Sequence, residues 1–153
     1  MKLLITGGAG FLGARLARTL LAKGELAGGK LTQVVLADQF AVPADLAADP
    51  RVQVLTGPLL EQCSGFAQAK FDGVFHLASA VSGECEADFD LGMRSNLDST
   101  RALLDALRAA GNNPRVLFSS SVAVYGPDPA HPLPDVVTDD TFTTPQTSYG
   151  AQK

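Results

Sequence analysis

Apolar residues come in short runs, each closed by glycine or by a polar turn. The first, Lys2 to Thr6, ends at Gly7-Gly8-Ala9-Gly10, and the period then changes, with Phe11, Leu12, Leu16, Leu20 and Leu21 recurring at helical spacing up to Lys23. That change predicts a strand, a tight turn and a helix. Gly24 ends the helix, Gly28-Gly29 marks a loop, and Leu31 to Ala37 is a second apolar, partly β-branched run that stops at Asp38. The alternation repeats with Val52 to Thr56 as strand, Leu60 to Lys70 as helix and Gly73 to Ala78 as strand. A long helix is predicted from about Glu86 to Ala110, with Leu97, Leu103, Leu104 and Leu107 turned to the sheet and Gly111 as its stop. Arg115 to Ser120 reads as a fifth strand, Gly126 to Thr147 as a proline-bearing loop, and Ser148 to Lys153 as the opening of a further helix. Strands alternating with helices in this way predict an α/β fold with a parallel sheet.

Composition narrows the picture. With 46% hydrophobic and 18% charged positions in 153 residues, the chain has the make-up of one globular domain with a real core. Its net charge of -4 and lack of a basic cluster exclude the electrostatic footprint of a nucleic-acid binder. The amino terminus runs straight into the glycine-rich segment without a signal-peptide pattern, and no apolar run approaches the roughly 18 residues of a membrane span. The expectation is a cytoplasmic protein with no membrane partner. Cys63 and Cys85 lack both paired spacing and histidine neighbours, so plain thiols are expected and no metal site.

The glycine turn carries the first chemistry. Gly8-Ala9-Gly10-Phe11-Leu12-Gly13 satisfies G-x-G-x-x-G, and Gly7, Gly10 and Gly13 satisfy the wider spacing. Between a strand and a helix, such glycines permit the tight turn, let backbone amides approach a pyrophosphate and allow close packing at Gly13. The helix amino terminus then faces the negative charge. Asp38, at the end of the second strand, stands where a ribose 2'-hydroxyl would be held and would repel a 2'-phosphate. No arginine follows in Gln39-Phe40-Ala41, so NAD is favoured over NADP. The competing readings are an ordinary glycine turn and a loop carboxylate or helix cap. The fold expectation is therefore a Rossmann-type, doubly wound parallel sheet of about five strands with flanking helices.

Tyr149 and Lys153 stand at i and i+4, so a helix would place both on one face. Such a pair is commonly surface decoration. Here, however, Phe118 to Gly126 closes the fifth strand at the carboxyl edge of the sheet, where ligands bind in open α/β folds. Taken in order, Thr6 to Gly13, Asp38, His76-Leu77-Ala78-Ser79, Asn96, Ser119 to Gly126 and Tyr149 to Lys153 resemble the motifs of the extended short-chain dehydrogenases/reductases, the NAD-dependent epimerase/dehydratase family. The resemblance covers essentially the whole chain.

The resemblance implies a catalytic Ser121, a general acid/base Tyr149 and its electrostatic partner Lys153, with Asn96 beside the catalytic strand or, alternatively, merely exposed. It implies a cofactor site of Gly7, Gly10, Phe11, Leu12, Gly13, Asp38, Leu77, Ala78, Ser79, Asn96, Ser119, Tyr149 and Lys153. A free phenol titrates near 10, so a nearby ammonium is what would favour the phenolate. His76 is expected to be structural, and His131 has no assigned role. Two departures stand out. Gly57-Pro58-Leu59 puts proline where the family has an acidic residue near the adenine, and the end at Lys153 leaves residues 1–153 as the amino-terminal part of the NAD-binding domain, with further strands and a substrate domain expected elsewhere.

Val81 to Gly92 lacks the longer insert of many nucleotide-sugar enzymes and resembles the segment of dehydrogenases acting on small, D-erythronate-like sugar acids. Ser82 would then meet substrate together with Ser121 and Tyr149, although a helix cap formed with Glu84 or Glu86 explains Ser82 almost as well. Three functions stay open: an NAD-dependent sugar-acid dehydrogenase, a nucleotide-sugar epimerase or dehydratase that retains NAD, and a non-catalytic NAD-binding protein. The expected partners are a small-molecule substrate and, as an assembly, a homodimer.

Overall fold

The structure is a computed structural model describing residues 1–153. In chain order its elements begin with β1 (Lys2–Thr6), α1 (Phe11–Lys23), β2 (Glu25–Leu26), β3 (Gly29–Lys30), β4 (Gln33–Asp38), α2 (Ala44–Ala47), β5 (Val52–Thr56) and α3 (Leu59–Phe66). They continue with β6 (Gly73–His76), α4 (Ser82–Ala87), α5 (Phe89–Gly92), a π turn (Met93–Asp98), α6 (Ser99–Ala110), β7 (Arg115–Phe118), a 3-10 turn (Val122–Val124) and α7 (Ser148–Gln152).

Five strands form one sheet in the order β5-β4-β1-β6-β7, every neighbouring pair parallel. Strand alternation splits the core between the two faces. Leu3, Ile5, Val34 and Leu36 pack with α1 through Ala17, Leu20 and Leu21. On the other face, Leu4, Val35, Ala37 and Val74 pack with α3 and α6 through Cys63, Phe66, Leu103 and Leu107. Burial on both faces explains why the central strands read as unbroken apolar runs. No helix is long and apolar enough to cross a membrane.

The α/β architecture and the parallel sheet are as the sequence predicts; several boundaries are not. The loop expected at Gly28-Gly29 is the turn of a two-stranded antiparallel ribbon, β2 with β3. Ala27 and Gly28 take positive φ there, which suits a tight reversal. The second sheet strand starts at Gln33 rather than Leu31, α3 stops at Phe66, and β6 ends at His76. The short α2 had no clear signal.

The largest difference is the long helix. It is interrupted at Asp88, whose extended φ of -138° breaks the helix while its carboxylate caps α5 by accepting from Leu91 N at 2.9 Å. A π turn follows before regular helix resumes at Ser99. Leu103 and Leu107 are buried as expected, whereas Leu97, within the wider turn, is 44% exposed and Leu104, off the buried face of α6, is 48% exposed. β7 is shorter than expected, ending at Phe118; Ser119 N makes the last ladder bond, to the His76 carbonyl.

Candidate active site

Strand order reverses between β1 and β6, and at this switch point Thr6 and His76 end adjacent strands. The glycine loop leaves β1 here. Gly7 takes φ of 71°, and a Cβ on it would stand 2.9 Å from Ala78 N, so neither the backbone nor the neighbouring strand end admits another residue. A Cβ at Gly13 would collide with the Gly7 carbonyl oxygen. The first helical bond of α1 is Ala14 N to Gly10 O, which leaves the amides of Phe11, Leu12 and Gly13 without protein partners. They form an anion cradle on a thirteen-residue helix.

Asp38 closes the other side. One carboxylate oxygen accepts from Ala9 N at 2.9 Å and the other from Phe40 N at 3.0 Å, which ties the end of β4 to the glycine loop. Together these residues wall a cavity of about 940 Å³ that reaches Leu77, Ala78 and Ser79 on one side and Gly57, Pro58 and Arg94 on the other. Phe11 and Leu12, 81% and 61% exposed, stand on its wall rather than in the core. Of the expected cofactor residues, Gly7, Gly10, Phe11, Leu12, Gly13, Asp38, Leu77, Ala78 and Ser79 share this wall. Asn96, Ser119, Tyr149 and Lys153 do not.

Beneath the cavity runs a directional hydrogen-bond chain. Thr6 Oγ1 accepts from Leu77 N and Ala78 N, both at 3.1 Å, so its own proton donates to His76 Nδ1 at 2.7 Å. His76 then carries its proton on Nε2, which donates to Thr100 Oγ1 at 2.8 Å, and that hydroxyl donates to the Asn96 carbonyl. Burial, with the positive Lys153 nearby, pushes the His76 imidazole down to about 4. His76 is therefore a neutral structural residue at physiological pH, as the sequence suggests.

The expected catalytic residues gather on α7 and the 3-10 turn. The Thr147 hydroxyl accepts from Gly150 N at 3.0 Å and caps α7. A Cβ at Gly150 would strike the Ala123 carbonyl, so α7 lies directly on the 3-10 turn. Ser121 caps that turn, its Oγ accepting from Ala123 N at 3.2 Å and its proton remaining available. Lys153 Nζ stands 4.7 Å from the Phe118 ring centre and 6.0 Å from that of Tyr149, and burial holds its ammonium below the ordinary value. Ser120 Oγ donates to the Lys153 carbonyl, which gives that serine a structural use.

Asn96 is 3% exposed, which rules out the merely exposed reading. Its Oδ1 accepts from Ala80 N at 2.8 Å and Ser79 Oγ at 3.1 Å, and because Ala80 N is only a donor, the amide orientation is set. Its Nδ2 donates to Gln152 Oε1 at 2.9 Å. Ser82 is exposed and stands one position inside α4, where it makes no cap; the half-cap there is the Glu84 carboxylate accepting from Val81 N. Glu86, expected only on its own helix, accepts from Ser148 Oγ at 2.8 Å and Tyr149 N at 3.1 Å, and these bonds draw its carboxyl below the usual range.

Residues 3–153 match the family described as NAD dependent epimerase/dehydratase. The chain belongs to that family. The glycine cradle and Asp38 fit the family's NAD. The chain is 53% identical over its whole length to a D-erythronate dehydrogenase of Cupriavidus necator and 40% identical to one of Haemophilus influenzae, spanning 47% of each. Among solved structures, a nucleoside-diphosphate-sugar epimerase from Agrobacterium tumefaciens superposes with a TM-score of 0.87 at 41% identity, over 99% of this chain and 45% of that one. The chain thus spans about half the length of the relatives it matches.

Proposed function

We propose that this chain forms the cofactor-binding part of an NAD-dependent dehydrogenase that oxidises a hydroxyl of a small, D-erythronate-like sugar acid through Ser121, Tyr149 and Lys153. The observation that carries the reading is an NAD-fitting cleft at the switch point, joined through Asn96 to the helix of Tyr149, since Asn96 bonds both Ala80 of the cleft wall and Gln152. The identity to proteins named D-erythronate dehydrogenase supports the substrate class.

The amides of Phe11, Leu12 and Gly13 would hold the pyrophosphate and Asp38 the adenosine ribose. NAD, when bound, supplies the hydride acceptor. Ser121 would donate its free proton to the substrate oxygen, and Tyr149 would take the proton which that oxygen loses. Lys153 would favour the charged form of Tyr149. In the protein at its native length, Tyr149→Phe should abolish NADH formation on D-erythronate while NAD affinity stays close to wild type; normal turnover in the variant would remove the mechanism.

The similarity to the Agrobacterium epimerase favours a second reading, a nucleotide-sugar epimerase that retains its NAD. Interconversion of a nucleotide sugar without net NADH, alongside silence on sugar acids, would decide for it.

A further inference from the structure

Helix α7, Ser148–Gln152, is seated against α4, the π turn and the 3-10 turn. Glu86 holds its first turn, Gly150 rests on the Ala123 carbonyl, and Gln152 points inward, 8% exposed, with Oε1 receiving the Asn96 amide. The last of these contacts leads directly to the cofactor cleft, because the same Asn96 side chain holds Ser79 and Ala80, which line it.

The orientation of this junction is forced. Ala80 N fixes Asn96 Oδ1, so Asn96 Nδ2 must face Gln152, and Gln152 must answer with its oxygen. The bonded carboxamide sits beside Lys153 and one turn after Tyr149, so the junction bears directly on both.

We propose that Gln152 is a positioning residue: through Asn96 its carboxamide oxygen ties α7, and with it Tyr149 and Lys153, to the Ser79–Ala80 wall of the cofactor cleft. The inference rests on the Ser121, Tyr149 and Lys153 reading above. The placement of the proton-accepting helix is thereby set against the bound cofactor and not merely against the core.

The test uses the protein at its native length, with D-erythronate and NAD as probes. Gln152→Met should lower kcat about 10- to 100-fold while the NAD Kd and the substrate KM change less than about threefold, since misplacement costs the chemical step before it costs binding. Gln152→Asn, which withdraws the amide by one methylene, should move kcat in the same direction by less, and it carries the test if the methionine variant does not fold. An unchanged kcat in folded variants would overturn the inference, as would NAD affinity falling in step with kcat. Full turnover in Tyr149→Phe would remove the underlying reading and this inference with it; a silent Tyr149→Phe beside a fully active Gln152→Met would remove the inference alone.

Discussion

The two sides of the switch point are held by different forces. On the glycine-loop side, β1 and β4 are buried almost end to end, α1 covers them with apolar side chains, and the loop is fixed by backbone packing. On the catalytic side, α7 is held by polar side chains reaching across from α4 and the π turn. Apolar burial gives much stability with little directional precision, whereas hydrogen bonds give modest net stability and strict direction. The cofactor side is thus built to persist and the catalytic side to aim.

Leu36→Ala probes this contrast with the largest expected effect. Leu36 is fully buried under Gly8, and its truncation should cost about 2 to 5 kcal/mol in urea unfolding. A loss confined to turnover would break the comparison. His76 links the two sides and comes next. Its pKa is pushed from 6.5 to about 4, so the unfolded chain binds a proton that the folded chain refuses. Stability is full above the ordinary value and falls as pH drops from there toward the lowered one, by about 3 kcal/mol in all. Unfolding followed over that range should show the loss in wild type and a flatter profile in His76→Gln.

Asp38→Ala should weaken NAD binding about tenfold, or 1.4 kcal/mol, and narrow discrimination against NADP. Titration with both cofactors checks this; unchanged selectivity would clear Asp38 of that role. The smallest effect is expected from Glu86→Ala, which removes the acceptor for Ser148 and Tyr149 N and should lower kcat with NAD affinity unmoved. Equal losses of NAD affinity and kcat would show that the two sides are not separable.

The sequence reveals most of the cofactor side because its signals are local. Gly7 to Gly13 sits between a strand and a helix, and β1, β4, β5 and β6 are short apolar runs ended by turn residues or by a polar group. The catalytic side is less open to reading. Asp88 and the π turn break a helix whose leucines suggest continuity, and no local pattern marks a π turn. Glu86 and Gln152 owe their roles to partners 63 and 56 positions away, a distance at which spacing carries no information. Ser82 shows the converse: its residue type and place suggest a cap, but the helix begins at Ser82 itself with Val81 as the preceding residue.

A π turn is in effect an α-helix with one residue too many, and that surplus is what turns Asn96 inward among Ala80, Cys85 and Gln152. Removing the extra residue, by deleting Leu97, would let the segment relax into regular helix. Because the wide turn absorbs one residue, its removal would move chiefly the residues within the turn, Asn96 among them, relative to Ala80 and Gln152. Helical content would hold or rise while Asn96 left its partners. In this segment the less regular backbone is the one that addresses the site, and a sequence shortened by one residue here would keep its fold while losing its aim.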